Sequence, residues 1–80
     1  MMTVRVLLFA SYADALGADA IDVDIAEEGR VRDVLAAVLR RSPGALPAAP
    51  MMAVNSEYAT LDQIVRATDE VAIIPPVAGG

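Results

Sequence analysis

Eleven carboxylates and six arginines carry all the side-chain charge of this sequence, which has no lysine, no histidine and no cysteine. Without histidine, the commonest neutral-pH acid–base group and metal ligand is missing. Without cysteine there is no thiol nucleophile, no thiolate metal site and no disulfide. Chemistry is left to carboxylates, hydroxyls, backbone groups or a chain end. Glu27-Glu28 reads as a solvated turn, because no other polar group is placed to converge on it. Asp69-Glu70 suits a turn ahead of a strand. Tyr12 and Tyr58 read as packing residues with a wet hydroxyl. No metal site is expected, and no cofactor bound by this chain.

The last residues, "DEVAIIPPVAGG", are the remaining candidate. Pro75 and Pro76 fix two φ angles and withhold two ladder N–H groups, so the segment after the strand is expected to project. Residues 75–80 then form a protruding tail that reaches roughly 20 Å when extended. Gly79 and Gly80 lack side chains, so such an end could enter a narrow channel with its carboxylate unhindered. Ordering six residues costs about 6–12 kcal/mol. Burying about 240–480 Å² of apolar surface offsets that cost. Val77 and an apolar docking face could supply the area.

Eighty residues make one domain, 1–80, with a thin core. The net charge of −5 argues against nucleic acid, which would select a basic stripe. No apolar run approaches the ~20 residues of a membrane helix, and no signal-peptide pattern opens the chain. A cytoplasmic location is expected.

"TVRVLLFA" (Thr3 to Ala10) predicts a strand that is apolar on both faces. Ser11 is placed to cap a helical turn that runs through Leu16 and stops at Gly17. "AIDVDIA" alternates strictly, with Ile21, Val23 and Ile25 on one face and Asp22 and Asp24 on the other. "RVRDVLAAVLRR" sets Val31, Val34, Leu35, Val38 and Leu39 on one helical stripe. Arg40 and Arg41 suit its C-terminal dipole. "SPGALPAAP" is a loop. "MMAVNSEYAT" predicts a short strand, a turn at Asn55-Ser56 and a return through Tyr58. A helical turn is expected around Leu61 to Ile64, a turn over Thr68 to Glu70, and a last strand in "VAIIP".

One helix can cover only one face of such a sheet. The first and last strands, apolar on both sides, belong at its centre and side by side in parallel. The expected fold is therefore α+β: a β-grasp (ubiquitin-like) domain with a mixed sheet of four to five strands and one main helix across it. Val4, Val6, Leu8, Ile21, Val23, Ile25, Val71 and Ile73 would face the helix. Leu7, Phe9, Ala72 and Ile74 would lie on the open side as a partner interface, with Arg5 at its rim.

On "VRVLLFASYADALG", "AVNSEYA" and "DEVAIIPPVAGG", the chain resembles the small subunits of molybdopterin synthase, which are ubiquitin-like sulfur-carrier proteins. The likeness covers essentially the whole length, and the terminal motif is its most specific part. Two stretches depart from the pattern: Thr60 to Thr68 lacks a Gly-Asp turn, and Pro43 to Pro50 is unusually proline-rich. The resemblance implies that an adenylating partner joins Gly80 to AMP from ATP. Sulfur from a persulfide donor, a rhodanese or desulfurase, would then leave a C-terminal thiocarboxylate. Pro75, Pro76, Val77, Ala78 and Gly79 would thread into a larger synthase subunit, two carriers serving a dimer of large subunits, and sulfur would pass to a cyclic pterin precursor. The carrier would not be catalytic alone. A thiazole- or cysteine-synthesis carrier, or a ubiquitin-like protein modifier, shares the terminal Gly-Gly and stands as the alternative.

Overall fold

The computed structural model describes residues 1–41 and 50–75. In chain order these form β1 (Met2–Leu8), α1 (Ala10–Leu16), β2 (Ala20–Ile25), α2 (Val31–Arg41), β3 (Met51–Val54), β4 (Glu57–Tyr58) and β5 (Glu70–Ile74). The five strands make one sheet in the order β2-β1-β5-β3-β4. β1 and β5 pair in parallel at its centre, with Val6 opposite Val71 and Leu8 opposite Ile73. β2 flanks β1 and β3 flanks β5, both antiparallel. The arrangement is the expected β-grasp.

Alternation decides which side each strand buries. Val4, Val6, Leu8, Val23, Ile25, Met52, Val54, Val71 and Ile73 are buried on the face covered by α2, which contributes Val31, Val34, Leu35 and Val38. The largest fully buried side chains are all valine or isoleucine. Such β-branched residues suit strands and have few rotamers to lose on packing. Ile21 points to this side too, but β2 is an edge strand and leaves it half-buried. Leu39 is likewise only half-buried, at the margin of the helical stripe.

Several boundaries differ from expectation. β1 ends at Leu8, whose N–H donates to Asp19 O at 2.8 Å. Phe9, not Ser11, is the N-cap of α1: the Tyr12 N–H donates to Phe9 O at 3.0 Å, and Phe9 makes no side-chain cap bond. Ser11 lies inside the first turn. Burial of Tyr12 sets the phase of this short helix, and the turn into it holds Ala10 at a left-handed φ of 49°. Gly17 closes the helix at φ 70°, a conformation that costs a side-chain-bearing residue roughly 1 kcal/mol.

The segment after β4 is not helical. Leu61 and Asp62 form a turn, and Ile64 makes an isolated antiparallel bridge to Arg30. The cause is the start of α2, whose first N–H groups have no partner within their own helix. The Val31 N–H donates to Gln63 O at 2.9 Å and the Arg32 N–H to Leu61 O at 3.0 Å. The Val65 N–H, which would close a helical turn onto Leu61 O, is instead bonded to Gly29 O. The Asp33 carboxylate completes the end by accepting the Arg30 N–H at 2.7 Å. The Val65 N–H donates to Gly29 O at 2.9 Å, and Val65 is buried. A Cβ on Gly29 would meet Ala26 O at 2.8 Å, so the close approach here requires glycine. The following turn falls at Ala67-Thr68, and Glu70 already belongs to β5.

Candidate functional site

The open side of the sheet carries the odd-numbered residues of β1 and the even-numbered residues of β2 and β5. Register sets them in rows. Asp24 and Thr3 form the row farthest from the tail, joined by a bond from Thr3 Oγ1 to Asp24 Oδ1 at 2.6 Å. Asp22, Arg5 and Glu70 form the next. Ala20, Leu7, Ala72, Ala53 and Tyr58 form a third, and Ile74 with Met51 a fourth. The face therefore grades from charged to apolar towards the point where the chain leaves β5.

Leu7, Phe9, Ala72 and Ile74 come together as expected, lining a depression of about 260 Å³. Ala53 and Ala72 sit opposite each other at its floor, and larger side chains stand around them. Small residues between large ones create the concavity, a shape that accepts a protruding apolar group. Phe9 is 46% exposed and Met51 39%.

Tyr58 corrects an expectation. It does not pack into the core but stands 73% exposed at the wall of the depression, because β4 is a two-residue edge strand. Tyr12 corrects another: its hydroxyl is buried and not wet, with no hydrogen-bond partner among the described residues. Burial alone raises its pKa. Met51 and Ala53 complete the patch and were missed, although the signal was present. "MMAV" is apolar at both alternating phases, the pattern of a strand with two occupied faces.

The hairpin tip is fixed to the root of β5. Asn55 and Ser56 both have positive φ, 50° and 70°, giving a two-residue turn whose twist matches the strands. The Glu70 N–H donates to Asn55 Oδ1 at 3.0 Å, and the Asn55 N–H donates to Glu70 O at 2.8 Å. Asn55 Nδ2 donates to Asp69 Oδ1 at 2.9 Å. The other oxygen of Asp69 accepts the Arg66 N–H at 2.8 Å. This backbone donor first, and Asn55 second, hold the Asp69 carboxyl below its usual range. Glu27 and Glu28 occupy an exposed turn, as expected.

Pro75 follows β5 directly and is half-buried. Pro76, Val77, Ala78, Gly79 and Gly80, with the expected tail geometry, lie outside the described residues. Among the described residues, no group of three or more metal-binding side chains occurs, and no helix is long and apolar enough to cross a membrane.

Residues 6–80 match the ThiS family. The chain belongs to that family. Among the relatives of this ThiS-family chain is the molybdopterin synthase sulfur carrier subunit of Dictyostelium discoideum, 33% identical over 95% of this chain and 94% of that protein. The protein of the same name from Caenorhabditis elegans is 31% identical, with each chain covered completely. Among solved structures, the small archaeal modifier protein 1 of Haloferax volcanii superposes with a TM-score of 0.85 at 29% identity, covering 96% of this chain and all of the other.

Proposed function

We propose that this chain is the sulfur-carrier subunit of a molybdopterin synthase, with the Gly80 carboxyl as its reacting group. One observation carries the reading: the ThiS-family match runs through Gly79 to Gly80, so the likeness takes in this chain's Gly-Gly segment. The relatives named as sulfur carrier subunits of molybdopterin synthase, similar over nearly all of their length, support it. The fold supports it as well, since the strand leading to that end lies at the sheet centre beside an exposed apolar depression.

A carboxylate is a poor electrophile, because the leaving group would be oxide. Joining it to AMP, with pyrophosphate released from ATP, supplies a better one. The outer sulfur of a persulfide then displaces AMP to form an acyl disulfide, and a thiol cleaves its S–S bond, leaving the Gly80 thiocarboxylate and a disulfide. The partners are an adenylating enzyme that consumes ATP, a persulfide donor, and a larger synthase subunit that receives residues 75–80. Leu7, Phe9, Ala72 and Ile74, joined by Met51 and Tyr58, form the docking face. Holding the tail in place supplies the main rate advantage, because orientation replaces a bimolecular encounter.

The test is intact mass after incubation with an adenylating enzyme, ATP and a persulfide donor. The expected product is heavier by the difference between sulfur and oxygen, with the change confined to the last peptide. An unchanged mass, or a change elsewhere, overturns the reading. Deleting Gly80 abolishes the gain. A second reading, a protein modifier, is favoured by the likeness to the archaeal modifier. It predicts amide-linked conjugates of higher mass under the same activation.

A further inference from the structure

We propose that the outer edge of β2 is a docking site for an extended segment of another protein, one that carries basic side chains at alternate positions. This site does not depend on the role proposed for Gly80. β2 ends the sheet, and among the described residues no strand pairs with its outer side. One bond sets the phase of that edge. The Leu8 N–H donates to Asp19 O, and in this antiparallel register Ile21, Val23 and Ile25 also turn their N–H and C=O groups towards β1. Ala20, Asp22 and Asp24 therefore turn theirs outwards, where an added strand can bond to them.

Charge selects the strand that fits. Residues 6–29 hold six carboxylates and no arginine, whereas the rest of the sequence holds five carboxylates and six arginines. The chain's whole excess of negative charge thus lies on α1, β2 and the turns at the two ends of β2. Asp14, Asp19, Asp22, Asp24, Glu27 and Glu28 are all exposed, and among the described residues none of them forms an ion pair. Arg5 lies opposite Asp22, but Glu70 flanks it on its other side. Asp24 accepts a bond from the Thr3 hydroxyl, which leaves its charge in place. Partner residues directly opposite Asp22 and Asp24 would project on the same open face of the sheet, so lysine or arginine two residues apart matches the pair. On the other face Ile21 is only half-buried, and an apolar partner residue opposite it would cover its outer side. An antiparallel segment then reads basic, any, basic, apolar against Asp24, Val23, Asp22 and Ile21. A second copy of β2 does not fit, because its aspartates would meet like charges. Among the described residues no strand carries two basic residues, β1 having Arg5 alone. The occupant is therefore a different protein.

The probe is a disulfide-closed hairpin peptide whose outer strand reads Thr-Arg-Val-Arg-Val-Thr, since a preformed strand gives up less freedom on binding. It is titrated at low salt into the full, isotope-labelled chain, with amide shifts and hydrogen exchange followed by NMR. Saturable binding at millimolar peptide or below is expected, with slowed exchange of the Ala20, Asp22 and Asp24 amides. Replacing both peptide arginines by glutamate should weaken binding about tenfold or more. N-methylation of the peptide nitrogen that bonds to Asp22 O keeps the charge and should also weaken binding about tenfold. The double variant Asp22→Lys with Asp24→Lys should reverse the preference and favour the glutamate hairpin, its amide spectrum showing that the fold is kept. The proposal is overturned by absence of saturation, by slowed exchange confined to other residues, or by an unreversed preference in the folded double variant. Equal binding of the arginine hairpin and its N-methylated form also overturns it, because the acidic surface would then attract cations without adding a strand.

Discussion

Asp69 joins three segments through one carboxylate: it accepts the Arg66 N–H and Asn55 Nδ2, while Asn55 in turn holds Glu70. Asp69→Ala is expected to cost about 1–3 kcal/mol, the range for losing such charge-assisted bonds, as measured by urea denaturation. Its pH dependence has a definite sign. The carboxyl is held low in the folded state, so its contribution is present above the unfolded aspartate value of roughly 4 and is lost as pH falls through the folded value. The variant should therefore lose stability at neutral pH and show a flatter acid limb than the natural chain. Tyr12 argues the other way. Its hydroxyl gives up water and finds no partner among the described residues, so Tyr12→Phe is expected to leave Tm unchanged or raise it. Because burial raises the Tyr12 pKa, its effect on stability is constant below the usual tyrosine value near 10 and turns unfavourable as pH rises beyond it. A Tm for Tyr12→Phe that falls by several degrees would contradict this account.

The segment from Thr60 to Val65 behaves as a strap across the start of α2. Its carbonyls take the first helix donors, its Arg30 and Arg32 contacts run through Asp62, and its one buried side chain is Val65. Val65→Ala removes two methyl-sized groups from a packed site and is expected to cost about 2–3 kcal/mol, counting transfer and cavity together. Hydrogen exchange checks the mechanism as well as the size. The Val31, Arg32 and Val65 amides should lose protection before those of β1 and β5, since strap and helix start open as one unit. Equal loss across the sheet would mean that the strap has no local role.

Among the described residues, the sheet has one face covered by α2 and one left open, graded from charged to apolar towards the end of β5. A bulky charge at the floor of the depression should stop docking without unfolding the domain. Ala72→Arg is expected to weaken binding to the adenylating enzyme by at least tenfold, about 1.4 kcal/mol, as read by calorimetry. Tyr58→Ala, at a site 73% exposed, should change stability by no more than ~0.5 kcal/mol, so a loss of affinity there reports contact with the partner. Unchanged affinity in both variants would remove the open face from the proposed interface.

Local pattern was enough for most elements. The alternation in "AIDVDIA", the stripe in "RVRDVLAAVLRR" and the doubled apolar phase of "TVRVLLFA" each report a periodicity imposed by one backbone conformation. Those patterns also made the central parallel pairing of the first and last strands legible, because strands apolar on two sides must be interior. The proposed acyl chemistry rests on something other than periodicity, the residue types Gly79-Gly80 after Pro75-Pro76. What no local pattern carried were relations between distant segments. The stretch around Leu61 is not helical, because its carbonyls bond to the start of α2 and the Val65 N–H bonds to Gly29 O. Tyr58 is exposed because β4 ends the sheet, and Tyr12 is buried because α1 folds over the core. Hydrogen-bond partners and burial are properties of pairs of segments, and only the folded chain brings those pairs together.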